Sequence, residues 1–238
     1  MKVSLIGYGK MGKVIEKILK QRGHQVKSII DQGNVNDLKS KKFAESDVAI
    51  EFSVPGSAFE NLKACITAGV PVVSGTTGWL DKKPELDHYC RENEGGYLYA
   101  SNFSIGVNIF FSLNKKLASL MSPFDQYKVR MTEIHHTTKL DAPSGTGITL
   151  AEGIIENIPE YKEWINEETD DPKKLPIISK RIKDAPGTHI IEYVSEVDEI
   201  KIEHEAKSRQ GFALGAVIAA EWMVGKNGVY SMSDVLGF

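Results

Sequence analysis

Fifteen residues, Glu133-Ile-His-His-Thr-Thr-Lys-Leu-Asp-Ala-Pro-Ser-Gly-Thr-Gly147, hold two adjacent histidines, a lysine, an aspartate and a serine-glycine-threonine step. Histidine is the side chain that exchanges a proton most readily near neutral pH, and a lysine beside it holds anions or assists the transfer. His135 and His136 end an alternating run with Tyr127, Val129 and Met131 on one side and Lys128, Arg130 and Thr132 on the other, so a strand delivers them to its end. Successive strand residues face opposite ways, which gives the two histidines different jobs. After a turn over 140–143, Ser144, Gly145 and Thr146 precede Ile148, Leu150, Ala151, Ile154 and Ile155 at helical spacing. A helix starting there presents free backbone N–H groups and the positive end of its dipole, a place for a carboxylate to dock.

Each feature alone has an ordinary structural reading, a capped helix after a turn or surface histidines at a strand end. Their conjunction with Lys139 favours proton transfer beside an anion cradle. No metal is expected: adjacent histidines lack the spacing to share an ion, and neither a Cys cluster nor a carboxylate triad accompanies them. His204-Glu205 opens a zinc-protease-like pattern, but Ser208 stands where its second histidine belongs.

The N-terminus carries a second constellation. Residues 3–6 read as a short strand running into Gly7-Tyr-Gly9-Lys-Met-Gly12 and then an amphipathic helix, the context that G-x-G-x-x-G requires. Gly7 serves the tight turn, Gly9 lets the backbone approach a pyrophosphate, Gly12 lets the helix pack on the strand, and Lys10 and Met11 lie in the same loop. A second strand over 25–30 ends at Asp31, placed to hydrogen-bond a ribose 2′-hydroxyl. Val14 stands where a nucleotide triphosphatase loop needs Ser or Thr for Mg²⁺, and no tyrosine has the lysine four residues on that a short-chain dehydrogenase uses.

Strands over 47–52, 71–74 and 97–100 alternate with helical patterns over 58–68 and 81–93, which makes an α/β, Rossmann-type, doubly wound parallel sheet. Loops at the carboxyl ends of such strands line the cofactor crevice: residues 52–56, Gly75-Thr76-Thr77-Gly78 and Ala100-Ser101-Asn102-Phe103. Beyond Phe103 come an apolar segment over 107–121, the histidine strand, the capped helix, a polar proline-containing stretch over 159–176, and strands over 189–195 and 200–205. These make a second, α+β domain with a mixed or antiparallel sheet over 106–208. The apolar helix over 212–224 and the closing 230–238 segment return to the first domain, which takes 1–105 and 209–238.

Composition supports a globular reading, with 41% hydrophobic and 26% charged residues across 238 positions. A net charge of −3 gives no reason to expect nucleic acid, and two lone cysteines, Cys65 and Cys90, make no disulfide framework. With neither a signal peptide nor a membrane span legible, the expected location is the cytoplasm.

The glycine loop, Gly75-Thr-Thr-Gly78, Ala100-Ser-Asn-Phe-Ser104, the run from Glu133 to Gly147, and Ser208-Arg209 with Phe212 together resemble the 4-hydroxy-tetrahydrodipicolinate (dihydrodipicolinate) reductase family of diaminopimelate and lysine biosynthesis. The resemblance covers nearly the whole chain. It implies NAD(P)H-dependent reduction of a cyclic imine dicarboxylate, and a homotetramer built through the second domain. It implies His135 as the acid that protonates the reduced intermediate with Lys139 assisting, and His136, Lys139, Gly145 and Thr146 as binders of the substrate carboxylates. Cofactor contacts are implied at the glycine loop, at Asp31, at Gly75, Thr76 and Thr77, from Ala100 to Phe103, and at Arg209 and Phe212.

Two departures from the family pattern bear on the cofactor. The segment between the second and third strands is short, and Gln32 rather than an arginine follows Asp31, so NADH is favoured over NADPH. The rival readings are another amino-acid-linked dehydrogenase on this architecture and an NAD(H)-sensing module without turnover.

Overall fold

The computed structural model describes residues 1–208 and 210–238. The chain divides into two compact units, the first made of Met1–Ile105 with Gln210–Phe238 and the second of the intervening segment.

In the first unit β1 (Lys2–Ile6), α1 (Lys10–Gln21), β2 (Gln25–Ile30), α2 (Lys41–Ala44), β3 (Val48–Glu51), α3 (Pro55–Thr67), β4 (Val72–Ser74), α4 (Lys83–Glu92) and β5 (Gly96–Tyr99) follow one another. A 3-10 segment, Gln32–Lys39, bridges β2 and α2, and another, Leu80–Lys82, leads into α4. The chain then enters the second unit through α5 (Ile105–Met121), β6 (Lys128–His135), α6 (Gly145–Ile155), β7 (Glu163–Ile165), β8 (Lys174–Arg181), β9 (Thr188–Val194) and β10 (Glu199–Glu205). It closes with α7 (Gln210–Met223), β11 (Gly228–Tyr230) and α8 (Met232–Leu236).

The first sheet has the order β11-β5-β4-β3-β1-β2, and every pair is parallel. Its central strands read as apolar runs because helices cover both faces, and β3 is buried along its whole length. Two cores result. Ile15 and Leu19 of α1 pack with Val3, Leu5 and the small residues of α7 on one face, while Phe59, Leu62 and Leu86 of α3 and α4 pack with Ile6, Ala49 and Val72 on the other. Each fully buried Ile or Leu there contributes roughly 1.5–3 kcal/mol of transfer free energy.

The second sheet has the order β10-β9-β6-β8-β7 and is mixed. β9 pairs antiparallel with β6 and β10, whereas β8 runs parallel to β6 and to β7. A parallel neighbour needs a crossover, and α6 supplies it. The polar stretch over 159–176 is therefore not plain loop: it contains β7 and the start of β8, including Pro176. Val129, Met131, Leu175, Ile177, Ile191 and Tyr193 line the face that α5 and α6 cover.

Helix α7 lies close to the first sheet because its inward positions are Ala213, Gly215, Ala216, Ala219 and Ala220. At Gly215 a Cβ would stand 1.7 Å from the Phe103 carbonyl oxygen, a backbone atom that cannot swing aside. Gly215→Ala is therefore expected to destabilise the fold by about 3 kcal/mol, the upper end of overpacking costs. A loss of less than about 1 kcal/mol by urea unfolding would show that α7 yields freely.

Candidate active site

Alternation along β6 sends Val129, Met131, Glu133 and His135 to the buried face, so the strand carries His135 to its last position. His136, one step past the strand, is only half-buried, and its Nδ1 lies 2.8 Å from Thr138 Oγ1. The two histidines are thus separated in environment as pleating demands.

Glu133 is 1% exposed and sits at the crossing of three elements. Register places Ser179 of β8 and His189 of β9 on either side of it, and Arg181 of β8 beside His135. Ser144 donates to its carboxylate from both backbone N (2.9 Å) and Oγ (2.5 Å), and Ser179 Oγ lies 2.9 Å from Oε1. The same Ser144 Oγ accepts from Gly147 N at 3.0 Å, which makes Ser144 the N-cap of α6. A carboxylate on β6 therefore grips the first residue of the cradle helix.

His135 Nδ1 and His189 Nε2 each stand 3.8 Å from a Glu133 oxygen, and the two imidazoles meet edge to face at 5.1 Å. Three ligand-type atoms, from Glu133, His135 and His189, come within 4.8 Å of one another here, and both Glu133 oxygens accept hydrogen bonds from amide and hydroxyl groups. His135 Nδ1 is buried and has no hydrogen-bond partner among the described residues. Burial pushes His135 below the ordinary imidazole range; Glu133 opposes this, and Lys139 and Arg181 add to it. His189 is pushed down to about 4 by burial and by His135, so it is neutral at pH 7. Burial acts against ionisation of Glu133, but the Ser144 and Ser179 hydrogen bonds and His135 outweigh it and hold the carboxyl below its usual range.

The loop that follows is braced by Arg181, which donates to the carbonyl oxygens of Lys139 (3.3 Å) and Asp141 (2.6 Å). Lys139 Nζ is paired with both Asp141 carboxylate oxygens at 2.8 and 2.7 Å, which ties the lysine into this loop. Gly145 is exposed at the start of α6 with open space where a Cβ would stand, and Thr146 is half-buried beside it.

In the first unit, parallel strands bring the loops after β1, β3, β4 and β5 to one carboxyl edge. Gly7, Phe52, Gly75 and Ala100 each hydrogen-bond back to a neighbouring strand, through Ile30, Ile6, Glu51 and Ser74 carbonyl oxygens at 2.8–3.2 Å. Gly7 has φ +87°, and side chains at Gly7 or Gly12 would collide with the Phe52 or Gly7 carbonyl oxygen. Gly9 is different: it is exposed, and nothing lies within 4 Å of where its Cβ would be. That open backbone at the start of α1 fits a dinucleotide pyrophosphate.

Lys10 is exposed beside Gly9, whereas Met11 packs against the core. Thr76 is buried and Thr77 exposed; Ser101 is exposed; Asn102 accepts from Ser104 N at 2.9 Å; and Phe103 is buried, tilted against Phe52 at 5.6 Å. Phe212 is half-buried near the start of α7, and Arg209 lies outside the described residues. Asp31 is exposed at the end of β2, where its Oδ1 accepts from Gln32 N at 2.9 Å and its side chain caps the 3-10 segment.

Sequence reasoning gave no role to Glu133, Ser179, Arg181, His189 or Glu51. Glu51 is 0% exposed and accepts from Ser53 N (3.0 Å), Ser53 Oγ, Ser74 Oγ (2.6 Å) and Thr76 Oγ1 (2.9 Å), tying the loops after β3 and β4 together. The signal available for Glu51 and Glu133 was a carboxylate on the inward phase of a strand, which is costly unless it is fully hydrogen-bonded.

A parallel sheet with a glycine loop at its carboxyl edge, and a second unit carrying a buried imidazole beside a capped helix start, define an oxidoreductase of the two-domain nucleotide-binding class. The family model for the dihydrodipicolinate reductase N-terminus matches residues 1–103, and that for the C-terminus matches 106–236. A 4-hydroxy-tetrahydrodipicolinate reductase from Christiangramia forsetii is 49% identical, over 99% of this chain and 98% of that protein. Another from Acinetobacter baumannii is 32% identical over 99% and 96%. The dipicolinate-bound dihydrodipicolinate reductase from Paenisporosarcina sp. TG-14 superposes with a TM-score of 0.77 at 24% identity, over 97% of each chain. Aspartate dehydrogenase from Thermotoga maritima shares the fold at a TM-score of 0.52 and 12% identity, over 95% of this chain and 97% of that one. The chain belongs to the dihydrodipicolinate reductase family.

Gly9 has φ −76°, outside the left-handed region, and a Cβ there would stand in open space. Gly9→Ala is therefore expected to leave stability within about 1 kcal/mol of wild type. It is also expected to raise the NADH dissociation constant at least about tenfold by filling the pyrophosphate approach. Calorimetry and fluorescence titration of one preparation check both arms, and unchanged NADH affinity would remove Gly9 from the cofactor site.

Proposed function

We propose that this chain uses NAD(P)H to reduce 4-hydroxy-tetrahydrodipicolinate to tetrahydrodipicolinate with loss of water, its first unit holding the dinucleotide and its second the cyclic imine dicarboxylate. The observation that carries this reading is the buried His135 beside a serine-capped helix start, in a chain that belongs to this family along its length.

When bound, the reduced nicotinamide supplies a hydride. The chain orients it through the backbone at Gly9, the loops from Gly75 and Ala100, and the Asp31 carboxylate toward the ribose. Two substrate carboxylates call for cations and N–H donors; the start of α6 at Gly145 and Thr146, with His136 and Lys139, meets that need. Binding draws Lys139 from Asp141 to the substrate. The incoming negative charge also offsets the burial and the Lys139 and Arg181 charges that depress His135, so the substrate readies its own acid. Once the C4 hydroxyl has left as water to give the unsaturated imine, hydride addition at C4 leaves an enamine, and His135 gives its proton to C3.

The sheet face away from α5 and α6 carries Ile134, Ile178, Ile190 and Val194 among charged neighbours, half-buried or exposed, a surface suited to self-association as a homotetramer. No described helix is long and apolar enough to cross a membrane. With both cysteines free and buried, a cytoplasmic location fits.

The decisive experiment couples the protein to the synthase that makes the cyclic imine and follows NADH and NADPH oxidation separately. Imine-dependent oxidation is expected, and its absence, with turnover instead on an amino-acid panel, would reassign the chain to an amino-acid dehydrogenase.

His135→Gln is expected to lower kcat on the order of 10² to 10⁴, with a much smaller change in substrate KM. A raised KM at wild-type kcat would make His135 a binder, with Lys139 next in line as the acid.

kcat/KM is expected to favour NADH, because the exposed Asp31 carboxylate repels a ribose 2′-phosphate and the neutral Gln32 offers no compensating charge. Asp31→Ser combined with Gln32→Arg should move the ratio toward NADPH. An unmoved ratio would confine Asp31 to its capping duty on the 3-10 segment.

A further inference from the structure

Glu133 has no place in the roles above, yet both halves of the second-unit site lie against it. On one side its carboxylate takes the backbone N–H and hydroxyl of Ser144, the residue that begins α6. On the other, Oε1 faces His135 Nδ1 at 3.8 Å, too long for a hydrogen bond and within ion-pair range. Because Nδ1 is buried with no partner among the described residues, a proton arriving there has Glu133 as its nearest counter-charge.

We propose that Glu133 is a positioning residue that binds the proton donor and the carboxylate cradle into one unit, holding the His135 ring by Nδ1 and the start of α6 by Ser144. The proposal rests on the reading of His135 as the acid.

Ring geometry supports it. With Nδ1 turned to the buried carboxylate, Nε2 is the atom left to deliver a proton. Gly187 lies beside that edge of the ring, where a Cβ would stand 3.4 Å from Nε2 and Cδ2, at van der Waals contact. A longer side chain at 187 would cover the delivering atom.

Charge also supports it. The groups that face His135 are Glu133 on its own strand, Arg181 on β8, His189 on β9, and Lys139 and Asp141 in the loop. Arg181 and Lys139 disfavour imidazolium, His189 is neutral at pH 7, and Asp141 is already paired with Lys139. Glu133 is therefore the main group that keeps a buried imidazole able to accept a proton.

Two full-length variants separate the two ties. Glu133→Gln keeps the reach to Ser144 N and removes the charge; Glu133→Asp keeps the charge and withdraws it from Ser144. For Glu133→Gln the His135 pKa, followed by NMR on the free protein, is expected to fall by about one unit. Its kcat for the synthase-generated imine should fall about 10- to 100-fold with NADH affinity unchanged, a loss typical of outer positioning groups. For Glu133→Asp the imine KM is expected to rise about tenfold, as loss of one charge-assisted hydrogen bond predicts, with a smaller change in kcat.

An identical His135 titration in wild type and Glu133→Gln would overturn the tie to the acid. An unchanged imine KM in Glu133→Asp would overturn the tie to the cradle, and it decides the proposal if Glu133→Gln does not fold. Wild-type protein inert toward the imine would defeat the functional reading, while the NMR titration would still test whether Glu133 governs His135.

Discussion

Removing a carboxylate from water costs several kcal/mol even after the protein relaxes, and at 1% exposure Glu133 bears that cost nearly in full. The donors that offset it come from different parts of the chain: Ser144 from the cap of α6 and Ser179 from β8, with His189 of β9 against the same oxygens. They converge only if β6, β8 and β9 pair in one register and α6 begins at one residue. A one-residue slip of β6 would turn Glu133 and His135 to the opposite face. The strand register and the chemistry of the site are therefore a single constraint.

The first unit uses the same device at its own edge. Glu51 ends β3 with no exposed surface, and its partners are hydroxyls and one amide from the last residue of β4 and the loops that follow β3 and β4. Gly75 is held to β3 through the Glu51 carbonyl, and the Trp79 indole N–H bonds the Thr76 carbonyl at 2.7 Å. The loops proposed to meet the dinucleotide are thus set by hydrogen bonds to a buried carboxylate rather than by exposed side chains. A preformed loop loses less conformational freedom when its ligand arrives.

Much of this was legible in local pattern. The glycine loop between a strand and a helix, the strand ending at Asp31, the Ser144 cap and the parting of His135 from His136 all follow from spacing within a few residues. β7 and β8 were not legible as strands. β7 has three residues, and Pro176 in β8 lacks an N–H, so the segment carries the marks of a loop. What makes β8 a strand is its parallel pairing with β6 across the α6 crossover, and no local window contains that information.

Sequence by itself determined the class of fold, the two-part organisation and the residue types able to move a proton or hold an anion, because periodicity, turn chemistry and short motifs act over one or two turns of chain. Only the tertiary structure decided which of them meet. Ser179, Arg181 and His189 lie 46, 48 and 56 positions from Glu133 in the chain and become its neighbours through strand register alone. The environment that depresses His135 belongs to that assembly as well, since desolvation and the nearby charges exist only once β6, β8, β9 and the start of α6 have closed around the imidazole.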